Sequence, residues 1–239
     1  MKYIYGPIKS RRLGLSLGIN LTPFKTCSFD CVYCQLGKTN RLTIFRSEYI
    51  KISEILDELK EWFNRHKDDP LALDYITISG SGEPTLNIKI SDLIDQLKRL
   101  SSAKIALITN SSLLGDAALR QEILGADLIV PSLDAVTQEL LVKVDRPHAD
   151  LKIDEIISGL ISLRKEFRGK IWIEVMLIKG LNDDIRHIRK LKSVMDRINP
   201  DKIQINSPVR TTSDEGVLPV AKSKLKEIKA ILGDKAEII

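Results

Sequence analysis

Six short runs of β-type residues, separated by stretches with helical spacing, set the first limit on this chain of 239 residues. The runs are Leu15–Thr22, Tyr75–Gly80, Lys104–Asn110, Asp127–Ser132, Lys170–Ile178 and Lys202–Asn206. Apolar residues recur at helical steps in Ile52, Ile55, Leu56, Leu59, Trp62 and Phe63, in Leu93, Ile94, Leu97 and Leu100, and in Ile185, Ile188, Leu191 and Met195. Ser91 and Asn182 are the expected N-caps of the last two helices. A C-terminal helix over Ala221–Leu232 is expected to stop at Gly233. Strand then helix, six times over, predicts an α/β fold on a parallel sheet. No linker rich in Pro, Gly or Ser divides the chain, so it reads as one domain over 1–239. Residues 1–46 hold a basic segment, the first strand and a cysteine loop. Residues 47–210 supply the other units, and 211–239 a helix and tail.

Side chains on a strand alternate between faces. Leu15, Leu17, Ile19 and Leu21 therefore oppose Ser16, Gly18, Asn20 and Thr22. Ile173, Val175 and Leu177 oppose Glu174 and Met176, and Ile203 and Ile205 oppose Gln204 and Asn206. A closed eight-stranded barrel fills its interior with branched apolar side chains. A polar inner face predicts instead an open or partial barrel that holds a polar ligand.

Charge and hydropathy narrow the setting. No apolar run reaches the ~18 residues of a membrane span, and Met1–Gly6 lacks an apolar signal region. A cytoplasmic, reducing location is expected. Residues 1–46 carry eight Lys and Arg against the single acid Asp30, a net +7, which leaves −2 for the rest. Such a segment suits an anionic ligand or partner, with a solvated basic face as the plain alternative.

All three Cys fall in one loop after the first strand, as Cys27-Ser28-Phe29-Asp30-Cys31-Val32-Tyr33-Cys34. An odd number excludes a closed disulfide framework. A structural zinc site needs a fourth ligand, and His66, His148 and His187 lie far along the chain. An iron–sulfur cluster normally takes four thiolates. With three, one iron keeps an open position where substrate or cofactor can bind.

This C-x3-C-x2-C spacing, with an aromatic before the last Cys, resembles the radical S-adenosylmethionine (radical SAM) superfamily. The resemblance implies a partial (β/α)6 barrel and a [4Fe–4S] cluster on Cys27, Cys31 and Cys34. It implies that the amino and carboxylate groups of SAM chelate the fourth iron. One electron then cleaves SAM to methionine and a 5′-deoxyadenosyl radical, which takes a hydrogen atom from substrate. Ser79-Gly80-Ser81-Gly82-Glu83-Pro84 resembles the family's Gly-Gly-Glu-Pro motif, with Ser81 in place of the first Gly. Gly82, Glu83 and Pro84 are thereby expected at the SAM amino group. Asn110, Ser132, Asp134 and Met176 are expected to complete the SAM site, Arg146 to meet its carboxylate and Tyr33 its adenine. The ordinary alternatives are helix capping for Asn110 and Asp134, a surface role for Arg146 and core packing for Tyr33.

Ser10–Asn20, Cys31–Thr39 and Ile203–Arg210 resemble small radical SAM proteins near the tRNA wyosine-base synthase. That synthase carries further Cys for a second cluster, and this chain has only the three. The first expectation is therefore a radical SAM enzyme acting on a small molecule or peptide. Its substrate would meet Arg11, Arg12, Asn20, Glu174, Gln204, Asn206 and Arg210. The second is a tRNA-modifying enzyme in which Arg11, Arg12, Lys38, Arg41, Arg46 and Arg210 meet phosphates. The third is a non-enzymatic, metal-stabilised RNA-binding protein. A flavodoxin- or ferredoxin-type electron donor is expected as a partner, docking on the basic segment.

Overall fold

Alternating apolar positions on parallel strands give the sheet one face for helices and one for a site. The computed structural model describes residues 1–10, 12–67 and 72–239. The strands are β1 (Ile4–Ser10), β2 (Gly14–Asn20), β3 (Thr26–Cys27), β4 (Arg41–Leu42), β5 (Tyr75–Ser79), β6 (Lys104–Thr109), β7 (Leu128–Pro131), β8 (Lys170–Met176), β9 (Lys202–Asn206) and β10 (Ala236–Ile238). The helices are α1 (Ile52–Arg65), α2 (Ile90–Leu100), α3 (Ala117–Ile123), α4 (Gln138–Val144), α5 (Ile153–Glu166), α6 (Ile185–Ile198) and α7 (Lys222–Leu232), with a 3₁₀ turn at Pro84–Leu86. The main sheet runs β1-β2-β5-β6-β7-β8-β9-β10, and β3 pairs with β4 apart from it. Every neighbouring pair in the main sheet is parallel except β1 with β2. Its two edges, β1 and β10, do not pair among the described residues, in keeping with a partial barrel.

The six expected strands are β2, β5, β6, β7, β8 and β9. Two edge strands escape the pattern. A register shift between Tyr5 and Ile8 breaks the alternation of β1, and β10 has three residues. The expected caps also differ. Helix α2 begins at Ile90, so Ser91 lies inside its first turn. Helix α6 begins at Ile185 and is capped by Asp184, whose carboxylate accepts from the Arg186 amide at 2.8 Å. Asn182 is buried instead and donates to the carbonyls of Asp134 and Met176 at 2.9 and 2.8 Å. Gly233 does end α7, with φ +91°.

Leu17, Ile19, Ile76, Ile78, Ile173, Val175, Ile203 and Ile205 pack outward into one core with Ile55, Leu59, Leu93, Leu160 and Ile188 of the helices. The inner face is only partly polar. At its N-terminal end Leu13, Ala106, Leu128 and Val130 form a second apolar cluster with Tyr75, Ile108 and Trp172. Leu13 sits on the β1–β2 turn, so the hairpin stoppers this end. Above it Ser16 and Thr77 share a hydroxyl hydrogen bond of 2.6 Å. No described helix is long and apolar enough to cross a membrane. Leu13, 5% exposed, should lose about 2–4 kcal/mol of stability on Leu13→Ala in urea unfolding. A loss below about 1 kcal/mol would show that the stopper does not secure the hairpin.

Candidate active site

The cysteine loop leaves β2 at the C-terminal end of the sheet and is tied down on three sides. Lys25 donates its amide to Ser81 at 2.6 Å, and the Glu83 amide donates to Thr26 at 3.1 Å. The amides of Asp30 and Val32 donate to Asp145 and Val144, each at 3.0 Å, at the end of α4. Ser213 donates its hydroxyl to the Cys31 and Val32 carbonyls at 2.8 and 2.9 Å. Gly82 permits the first contact: a Cβ there would stand 2.0 Å from the Thr26 oxygen.

All three Cys are free thiols, partly shielded from solvent. Asn110 Nδ2 lies 3.5 Å from Cys27 Sγ, Cys31 Sγ lies 3.5 Å from Asp145 Oδ1, and Lys25 Nζ lies 3.0 Å from Cys34 Sγ. Burial, then the Glu83 charge, pushes the Cys27 thiol up to about 12. Burial, then Asp145 and Cys27, raises Cys31 as well. Among the described residues no three His, Cys, Asp or Glu converge as a mononuclear ion requires. A cubane asks for one thiolate per iron at separate corners, and this donor set fits that demand.

The Gly-Glu-Pro turn sets Glu83, expected at the SAM amino group, within a hydrogen-bond network of its own chain. Glu83 is 2% exposed, and its carboxylate is enclosed by the chain. It accepts from the Thr85 amide at 3.1 Å, the Thr85 and Thr109 hydroxyls at 2.6 Å and the Asn110 amide at 2.7 Å. Its side chain braces the ends of β5 and β6. Pro84 opens the 3₁₀ turn behind it.

Asp134 is likewise committed. Its carboxylate accepts from the Met176 amide at 2.6 Å and from the Tyr33 hydroxyl, which also lies 3.5 Å from Asp145. Asp134 thereby positions Tyr33. Burial raises both carboxyls, and the Asp134 charge raises Asp145 further. A small cavity beside them is lined by Phe29, Tyr33, Asn110, Ser132, Asp134 and Asp145. Met176 packs with Val32, Val144 and Ile178 against Tyr33. Arg146, at φ +45°, makes a two-point ion pair with Asp214, the first contact at 2.9 Å. That pair engages two nitrogens of the guanidinium expected at a ligand carboxylate.

The expected substrate residues divide. Arg12 reaches from the β1–β2 turn to Glu174 Oε2 at 2.5 Å, and Asn206 Nδ2 donates to Glu174 Oε1 at 3.1 Å. These three meet on the inner face, with the Arg12 and Glu174 side chains 24% and 13% exposed. Asn20 instead accepts from the Ser81 amide at 3.0 Å, and Gln204 donates to Glu237 at 2.9 Å. Arg210 donates to Gln35 at 3.1 Å outside the crevice. Arg11 lies outside the described residues. The basic segment is partly neutralised, since Arg46 pairs at two points with Glu122, one of them at 3.1 Å.

The model of the radical SAM superfamily matches residues 21–191. The chain belongs to the radical SAM superfamily. Members of this superfamily are enzymes, and their cofactors are a [4Fe–4S] cluster and SAM. The chain is 37% identical to a protein named GTPase Obg from Brachyspira hyodysenteriae, over 95% of this chain but only 33% of that protein. It is 36% identical to the UPF0026 protein MJ1312 of Methanocaldococcus jannaschii, over 98% of this chain and 72% of the relative. The structure of TYW1 with a lysine-pyruvate adduct bound superposes with a TM-score of 0.65 at 17% identity, over 91% of this chain and 72% of that one, which shows a shared fold.

In this radical SAM enzyme two charged groups beside the cysteines escaped the motifs. Asp145 precedes the Arg-Pro pair, and Lys25 stands two residues before Cys27. The sole hint in the sequence is proximity to a motif.

Protonation of the acidic pair gives a pH test on metal-free protein. Asp134 is pushed from 3.8 up to about 6, chiefly by burial, so the folded chain keeps a proton that the unfolded chain has released. Its stabilising contribution is full below about pH 4 and is lost as pH rises through about 6. Asp145→Asn should raise the urea midpoint above wild type at pH 7.5 and flatten the slope of stability across that window. An unchanged slope would separate the two carboxyls.

Proposed function

We propose that this enzyme initiates radical chemistry on a small polar molecule or peptide bearing an anionic group. The observation that carries the reading is one loop of three free thiols, fixed at the C-terminal strand ends beside an inward-facing charge pair. Cys27, Cys31 and Cys34 would hold the cluster. When bound, the cluster and SAM supply a 5′-deoxyadenosyl radical that takes a hydrogen atom from substrate. Tyr33, held by Asp134, offers a flat face and a fixed hydroxyl at the loop. Asn110 brings its amide to the cysteine loop, Ser132 lines the neighbouring crevice, and Met176 packs against Tyr33.

Arg12 gives the substrate class. Among the described residues its side chain makes one hydrogen bond, through Nη1 to Glu174. A guanidinium carries five N–H donors in a planar fork, so an edge remains for a carboxylate or phosphate. Asn206 braces Glu174, which fixes the fork from behind. The pair lies on the inner face, where a small anion fits better than a polynucleotide backbone. Lys38 and Arg41 lie on the outside of the cysteine loop, where an acidic electron-transfer protein would dock.

Anaerobic reconstitution tests the reading. Wild type should show the brown [4Fe–4S] chromophore and form 5′-deoxyadenosine from SAM, and Cys31→Ala should lose both. Deuterium transfer into 5′-deoxyadenosine from labelled small-molecule pools identifies the substrate. Arg12→Gln should keep SAM cleavage while lowering that transfer by about 10- to 100-fold, the effect of one lost charge-assisted contact. Steep salt-dependent tRNA binding, with transfer from tRNA alone, would replace the small-molecule reading.

A further inference from the structure

We propose that Lys25 sets the reduction potential of the cluster by holding a fixed positive charge against the sulfur of Cys34. The inference rests on Cys34 being a cluster ligand. Lys25 is 3% exposed, and its Nζ lies 3.0 Å from Cys34 Sγ. Among the described residues it forms no salt bridge to a carboxylate, and its ammonium is hydrogen-bonded to the sulfur. A buried ammonium is costly without a counter-charge. A thiolate bound to a cluster supplies one.

The backbone keeps the ammonium there. Lys25 has φ +54°, a left-handed conformation that side chains other than Gly adopt at a cost. Three hydrogen bonds impose it. The Lys25 amide donates to Ser81 at 2.6 Å, and its carbonyl accepts from Asn40 and Arg41 at 3.0 and 3.1 Å. Gly would relieve the strain, but it would carry no charge. Both flanks of the loop therefore aim one ammonium at one sulfur.

The electrostatic consequence has a definite sign. Reduction adds one electron from a one-electron donor to the cluster and breaks no bond. The added negative charge lies near the ammonium and is stabilised by it, more strongly in a buried site than in water. Hydrogen bonds to cluster sulfurs and nearby positive charge both raise the potential. Lys25 thus makes the cluster easier to reduce and serves as a positioning residue, distinct from the groups that meet substrate.

The test is a potentiometric titration of reconstituted full-length protein without SAM, followed by electron paramagnetic resonance of the reduced cluster. Lys25→Met keeps the apolar stem without charge, Lys25→Gln keeps a neutral N–H donor, and Lys25→Arg keeps the charge. At the wild-type midpoint both neutral variants should show a reduced-to-oxidised ratio at least about tenfold lower, a shift of about 59 mV for one electron. Lys25→Arg should stay close to wild type. Neutral variants that titrate with wild type at full iron content would overturn the proposal. So would Lys25→Gln matching wild type while Lys25→Met shifts, since the hydrogen bond and not the charge would then act. Neutral variants that fail to hold a cluster, beside an arginine variant that does, would also overturn it in favour of a role in assembly. Wild type without a cluster would refute the ligand assignment itself, a separate failure.

Discussion

One buried carboxylate, that of Glu83, fastens the ligand end of the sheet. It gathers the Thr85 amide and hydroxyl, the Thr109 hydroxyl and the Asn110 amide, while its own amide donates to Thr26 in the cysteine loop. The ends of β5 and β6 and the entry to the loop are thereby one unit. Burial raises the carboxyl against ionisation, and these hydrogen bonds oppose that rise. Removing the acceptor would strand several buried donors, each costing about 1–3 kcal/mol.

Around that tie the site concentrates charge where solvent is scarce. Lys25 lies against Cys34, Asp145 against Cys31, and Asp134 holds Tyr33. Beneath them Arg12 and Glu174 face the crevice, and below these an apolar stopper closes the inner face. A polar ligand entering from the strand ends would meet ordered dipoles first and a charge pair next. The layers draw on several strands and on the loops that follow them, so the sheet's parallel register places the chemistry.

Much of this was legible in the sequence because alternation on β2, β5, β8 and β9 is regular. The cysteine loop stood out because three thiols in eight residues have few alternatives. The polar partners were harder to read. Glu83 and Asp134, expected at a ligand, are also buried and hydrogen-bonded within the chain, and no local pattern announces those partners. Arg146 was expected at a carboxylate, and it found one within the chain at Asp214, 68 residues on. Asn182 looked like a cap because Asn favours that place, but the chain turned two residues later and Asp184 took it. Lys25 was invisible because its meaning lies in a left-handed backbone and a sulfur nine residues away.

The central claim is that these three thiols leave one iron of a four-iron cluster open to SAM. Electron–nuclear double resonance on the reduced protein with SAM labelled by 15N at its amino group tests it most directly. The account predicts a 15N coupling to the cluster in wild type that vanishes when SAM is omitted. A fully assembled cluster that shows no such coupling, or iron bound only as a mononuclear ion, would contradict it.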